Sequence, residues 1–258
     1  LIPIRNITIK ECIELSHKLG KRVGKELNIP VFMYEQSAMK SNRQNLADIR
    51  KGEYENMSSK IKEKQWLPDY GPKTMGPISG VTAIGVREFL IAYNINLNTN
   101  DKKMASDIAL DIREAGRAKR DKDGKIVRDK NQNIIKVPGT LKSTKAVGWY
   151  LEEFNLAQVS MNLVDYKATS ISKAFEEVRK QARKRGLRVT GSEIVGLVPL
   201  DAIKDVGVYF LNLQNKCTGT SESQLIDIAI KSLGLNSLTP FNPKERIIDY
   251  VIKDRDGL

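Results

Sequence analysis

Three prolines and three glycines stand among the sixteen residues at 65–80, QWLPDYGPKTMGPISG. Proline fixes φ and removes a backbone donor, so this stretch is neither a helix interior nor a central strand. Whatever the chain folds into must be built on either side of an irregular loop. Trp66 and Tyr70 make the segment too aromatic for a plain linker. A loop that offers backbone N–H groups, small residues and a few rings is a common ligand wall. An ordered loop at a domain boundary has the same composition, and composition alone leaves the two readings open.

Around this loop the apolar residues switch between helical and strand periods. Thr8 and Glu11 form a capping box before a helix with the stripe Cys12, Leu15, Leu19, Val23 and Leu27. On that helix His17, the only histidine of the chain, falls away from the stripe beside Lys18 and Lys21, which directs it to solvent and away from catalysis. Val31–Tyr34 reads as a short buried strand, followed by helical stretches at 46–51 and 54–64. Strands are expected at 81–88 and 89–97. In the second, Phe89, Ile91, Tyr93, Ile95 and Leu97 share one face and Ala92, Asn94 and Asn96 the other. Met104, Ile108 and Ile112 stripe a helix ending near Gly116, and 146–150 is strand-like. Ala157, Val159, Met161 and Leu163 alternate with Gln158, Ser160 and Asn162. A helix carrying Ile171, Phe175, Val178 and Ala182 follows, then a strand at 187–190 and helices at 200–212 and 222–233. Asn242, Pro243 and Glu245 start a last short helix. The fold class is α/β, with consecutive crossover units and mixed sheets packed with helices.

The net charge of +12 raises nucleic acid as a partner, but its location argues otherwise. Residues 117–145 hold ten Lys/Arg against Asp121, Asp123 and Asp129, and 179–188 hold six with no acid. These two segments exceed the whole net charge. The first, with short apolar pairs between Asp/Gly/Asn turns, reads as a protruding hairpin at about 118–140. The second is the polar face and end of a helix. Neither interleaves aromatic residues, so a stacking platform for single strands is missing. The patches Arg179, Arg183, Lys184, Arg188 and Lys125, Arg128, Lys130 could instead attract anionic small molecules.

Cys12 and Cys217 form no CxxC, which fits a reduced, cytoplasmic setting. A metal site is not expected from two cysteines and one histidine. No apolar run suits a membrane helix, and no secretory signal is visible. Fingerprints for dinucleotides, nucleotide phosphates, serine nucleophiles and metalloproteases are absent. On the polar strand faces, Asn94, Asn96, Gln158, Ser160 and Asn162 offer neutral donors and acceptors suited to a polar heterocycle. The ends, LIPI and DRDGL, suggest a piece of a longer protein, with a processed mature chain as the other reading.

At these residues the sequence resembles the formimidoyltransferase domain of glutamate formimidoyltransferases. The resemblance runs through LIPIRNITIKECIEL, NLADIRKGEYE, WLPDYGP, REFLIAYNINL, KAVGWYLEEFNLAQVSMNL, GSEIVGLVPLDA and LTPFNPKERIIDYVI, leaving out the basic hairpin. It implies transfer of a formimidoyl group between N-formimidoyl-L-glutamate and tetrahydrofolate, the latter as co-substrate. It also implies two α/β subdomains with folate between them, and a homodimer or higher homo-oligomer. The first would cover 1–89, incomplete at its start, and the second 90–251, with 252–258 opening a linker or tail. The family's folate-binding loop falls on Gly71, Pro72, Lys73, Thr74, Met75, Gly76, Pro77, Ile78, Ser79 and Gly80. Its catalytic histidine would precede Leu1, and His17 does not match it. The closing motif also resembles forms in which a cyclodeaminase domain follows. The rival reading is a non-catalytic basic α/β module that binds RNA or another polyanion.

Overall fold

The computed structural model describes residues 1–4 and 6–256. They form two compact units, Leu1–Phe89 and Leu90–Leu258.

The first unit contains α1 (Ile9–Glu26), β1 (Val31–Glu35), α2 (Leu46–Arg50), α3 (Glu53–Lys60) and β2 (Thr82–Val86). β1 and β2 pair in parallel, with Val31 opposite Thr82 and Glu35 opposite Val86. LIPI, whose apolar residues read as the tail of a strand, forms none at residues 1–4. Leu1 is tied in, its nitrogen donating to Gly85 O and its carbonyl accepting from Arg87 N. The Thr8–Glu11 capping box is present. The stripe read from α1, however, is displaced. Leu15 and Leu19 are each 43% exposed, while Cys12, Ser16, Gly20 and Gly24 are buried. Small residues at i, i+4 spacing let neighbours approach this helix closely. A Cβ on Gly24 would lie 2.5 Å from the Gly71 nitrogen. α3 is shorter than expected and gives way to a 3-10 turn at Lys64–Trp66.

The second unit opens with β3 (Ile91–Leu97) and α4 (Lys102–Ile112), which stops short of Gly116. Then come β4 (Arg117–Ala118), β5 (Lys136–Val137), β6 (Thr144–Leu151), β7 (Leu156–Leu163), α5 (Ile171–Lys184) and β8 (Val189–Val195). Leaving out the tiny β4–β5 pair, the order is β-α-β-β-α-β and the sheet reads β6-β7-β3-β8, antiparallel throughout. This is the ferredoxin-like, split βαβ arrangement. Each crossover skips one strand position, and the skipped place is filled by an antiparallel neighbour. The mixed sense expected of the sheets thus resolves into a parallel pair in the first unit and an antiparallel sheet in the second. The α/β class with helix-covered sheets stands.

α4 and α5 both cover one face of this sheet. Ile91, Tyr93, Ile95, Val159, Met161, Ala146 and Ile194 are buried there. α4 passes close over Gly148 of β6, where a Cβ would sit 2.2 Å from the Ser106 nitrogen. α6 (Leu200–Leu213), α7 (Glu222–Leu233), α8 (Pro243–Arg246) and α9 (Ile248–Asp256) complete the unit. α9 occupies most of what reads as a polar tail, and Gly257 and Leu258 lie outside the described residues.

The basic segment is not a single hairpin. Two turns close in succession, with bridges Arg120–Ile126 and Arg128–Ile134, above the antiparallel β4–β5 base. At the centre three backbone bonds run in a ring. Lys119 N donates to Ile135 O at 2.8 Å, Ile135 N to Val127 O at 3.0 Å, and Val127 N to Lys119 O at 2.9 Å. The three residues are eight apart because RDKDGKIV (120–127) and RDKNQNII (128–135) are one octad used twice. Asp121 Oδ1 accepts from the amides of Asp123 and Lys125, and Asp129 Oδ1 from those of Asn131 and Asn133. The result is a two-leafed clover.

Candidate functional site

Residues 71–80 form an irregular excursion whose two ends are fixed. At the near end Asp69 accepts from Met33 N at 2.8 Å and pairs with Arg43 at 2.7 Å. Both side chains are buried, Arg43 completely. The same guanidinium donates to Gln65 O at 3.0 Å and Leu67 O at 2.5 Å, and sits over the rings of Phe32 and Trp66. Lys60, whose pKa is lowered by burial, caps the end of α2 through the carbonyls of Asp48, Ile49 and Lys51, with Nζ 4.0 Å from the Trp66 ring centre. One buried cation therefore holds 65–69 against β1.

His17 belongs to this end as well. It does not face solvent alone: its Nδ1 lies 2.9 Å from Tyr70 Oη. The buried face of α1 centres on Ser16 and Gly20 and not on the leucines, which brings His17 closer to the buried side than the apolar stripe implies. Burial raises the Tyr70 pKa, so the phenol is protonated at neutral pH. Gly71, at φ 79°, is sterically required, because a Cβ there would lie 2.3 Å from Ile29 O.

At the far end Met75 and Val81 pack against Phe32, Ile49, Met57 and Ile61. Gly80 N donates to Gly76 O at 3.2 Å, and Tyr54 Oη donates to Pro77 O at 3.1 Å. Gly80 takes φ 60°, but Gly76 does not have a positive φ. Between these holds, Lys73, Thr74, Pro77, Ser79 and Ile78 are exposed, Ile78 by 99%. A cavity of about 440 Å³ opens between Met75, Ile78–Val81 and the side chains of Arg50, Tyr54 and Met57.

The second cluster lies on the face of the β3 sheet opposite α4 and α5. Register aligns three rows across β6, β7, β3 and β8: Lys145, Asn162, Ala92, Val195; Val147, Ser160, Asn94, Glu193; and Trp149, Gln158, Asn96, Gly191. All five expected polar residues share this face. They do not share an environment. Asn96 and Gln158 are buried, linked by a 2.8 Å bond from Gln158 Nε2 to Asn96 Oδ1, and Asn96 Nδ2 donates to Ser237 at 3.0 Å. Their donors are spent inside the protein. Asn94 and Ser160 are half-buried and Asn162 exposed, beside Val147 (54%) and Trp149 (52%). Glu193 was missed by sequence reasoning, which ended the strand at Thr190; the extra alternation SEIV was the available signal.

The charge patches are thinner than composition implies. Arg179 pairs with Glu176 and Lys180 with Glu177, just outside the counted segment. Arg185 and Arg117 close on Asp107 and Asp111 of α4. In the clover, Arg128 folds back onto Gln132 O. Arg183, Lys184 and Arg188 carry no ion pair among the described residues and are exposed. Among the described residues, no group of His, Cys, Asp and Glu is gathered to hold a metal, and no helix is long and apolar enough to cross a membrane.

The chain is thus a two-unit α/β protein with an anchored Pro/Gly loop in one unit and an amide-bearing sheet face in the other. The pattern of the formiminotransferase domain, N-terminal subdomain, matches residues 1–87, and that of the formiminotransferase domain matches 92–253. The chain belongs to the formiminotransferase domain family. It is 43% identical over 253 residues to a formimidoyltransferase-cyclodeaminase of Dictyostelium discoideum, covering 98% of this chain and 44% of the relative. A protein of the same name from Mus musculus also shares 43%, covering 98% and 43%. A glutamate formimidoyltransferase of Streptococcus pyogenes serotype M1 shares 40% over 214 residues, 83% of this chain and 64% of the relative. The chain thus spans less than half the length of the first two.

Proposed function

We propose that this chain serves the transfer of a formimidoyl group between N-formimidoyl-L-glutamate and tetrahydrofolate, giving 5-formimidoyltetrahydrofolate and L-glutamate. The observation that carries the reading is the ordered match of both family subdomains, and the family resemblance assigns folate binding to the loop at 71–80. Tetrahydrofolate is a co-substrate here, and no metal takes part. A homodimer in the cytoplasm, and a following cyclodeaminase domain as in the relatives' names, complete the proposal.

The geometry suits a binding role for the loop. Holds at Asp69–Gly71, Met75 and Gly80–Val81 fix an exposed stretch whose amides and small residues can lie along a flat ligand. In the reaction, folate N5 attacks the amidinium carbon and loses a proton, while the glutamate nitrogen gains one as it leaves. A group titrating near neutrality suits both transfers. His17 is not assigned that role, since it is engaged with Tyr70.

The test uses the protein that contains this chain. Formation of 5-formimidoyltetrahydrofolate from the two substrates is expected. Gly80→Val should raise the folate Kd in a folded protein, because φ 60° is strained for any side chain although the nearest atom to a Cβ would be 3.5 Å away. Steeply salt-dependent RNA binding with no folate affinity would instead favour the polyanion module.

A further inference from the structure

On the face of the β3 sheet opposite α4 and α5, we infer that Glu193 receives the pyrimidine edge of the pterin, its N3–H and 2-amino group. The inference deepens the folate reading and rests on it. Glu193 is the only acid in the three rows, and Lys145 the only base. Its carboxylate is half-buried, and Asn94 is its one hydrogen-bond partner among the described residues, at a long 3.4 Å. That bond positions the carboxylate and uses little of its accepting capacity.

A pterin presents two roughly parallel N–H donors on one planar edge, which a carboxylate meets as a bidentate fork. Asn94, directly beside it in register, offers a carboxamide to the adjoining ring carbonyl, and Ser160 follows in the same row. Val147 and Trp149 give exposed apolar surface at the β6 side for the aromatic remainder of the ligand.

An amidine has a similar donor edge, so the formimidoyl group is the competing occupant. The placement of Lys145 decides against it. Three strand spacings across and two residues along put Lys145 roughly 16 Å from Glu193. In formimidoylglutamate the amidine and the carboxylates belong to a single amino acid and cannot reach both charges. In folate, the aminobenzoyl spacer separates the pterin from the glutamate carboxylates, and both charges are complemented.

Calorimetry with 5-formyltetrahydrofolate tests this. Glu193→Gln should weaken binding about 10- to 100-fold, the worth of a hydrogen bond to a charged group, while Glu193→Asp recovers part of it. From the ligand side, the parent should bind a 2-desamino folate more weakly than the 2-amino form, and Glu193→Gln should bind both alike. This comparison holds even if one variant folds poorly. A parent that binds no reduced folate defeats the folate reading itself. A parent that binds it, with Glu193→Gln unchanged and no discrimination against the 2-desamino form, defeats only this assignment. A loss confined to formimidoylglutamate would hand the carboxylate to the other substrate.

Discussion

Replacing Arg43 by methionine should unfold the first unit far more readily than any surface change. The side chain is fully buried, and its removal strands Asp69, which is only 4% exposed. Met33 N would then be the remaining donor to that carboxylate, and the carbonyls of Gln65 and Leu67 would lose theirs. Breaking a buried pair by deleting one partner costs about 3–5 kcal/mol. With a urea slope of about 2 kcal/mol/M, the midpoint should fall by roughly 2 M. Because the chain has two compact units, the probe must be local. Trp66 lies beside Arg43 and Trp149 in the other unit, so urea melts followed by fluorescence in a Trp149→Phe background read the first unit alone. Arg43→Met combined with Asp69→Asn should cost less than Arg43→Met alone, since no charge is left unpaired. A single-mutant shift below about 0.5 M, or a double mutant no better than the single, would refute the view that the pair holds the loop.

Gly71→Ala should cost more than about 3 kcal/mol in the same melt, because strain at positive φ adds to a 2.3 Å clash. Gly124→Ala meets open space, so it should cost only about 1 kcal/mol for φ 80° and appear as faster amide exchange at Val127 and Ile135. Acid should weaken the second unit through Asp107. Burial alone would raise its pKa, but hydrogen bonds from Arg185 and Arg117 prevail and lower it. A depressed carboxylate stabilises above its unfolded pKa of about 3.9 and loses that contribution as pH falls through the folded value. Asp107→Asn should therefore be less stable than the parent at pH 6 and lose less of its stability below about pH 4, as followed by Trp149 fluorescence.

Strong periodicity made most elements legible, and two physical effects hid the rest. In α1 the buried stripe consists of Cys12, Ser16, Gly20 and Gly24, whose value lies in being small, and hydrophobicity cannot see that. The strand expected at 187–190 stops just before Gly191, which lies inside β8. The missing side chain of Gly191 makes room for Ser237, whose Oγ would lie 2.2 Å from a Cβ. The same truncation concealed Glu193. The amide face was visible as alternation in two separate strands. That two of its five residues would be consumed by each other and by Ser237 depended on a loop 141 positions away from Asn96.

The clover sets how this surface can change length. Each leaf begins and ends at the central ring of Lys119, Val127 and Ile135, so an octad enters or leaves the chain without moving β4 or β5. Removing one leaf should leave an ordinary hairpin on the same base, and removing both a tight turn. Insertions of eight residues are thus accommodated by symmetry, while other lengths would break the ring. A label or affinity peptide placed at the tip of either turn, around Asp123 or Asn131, would stand clear of the sheet and its helices. The protrusion is a ready-made handle for immobilising the protein.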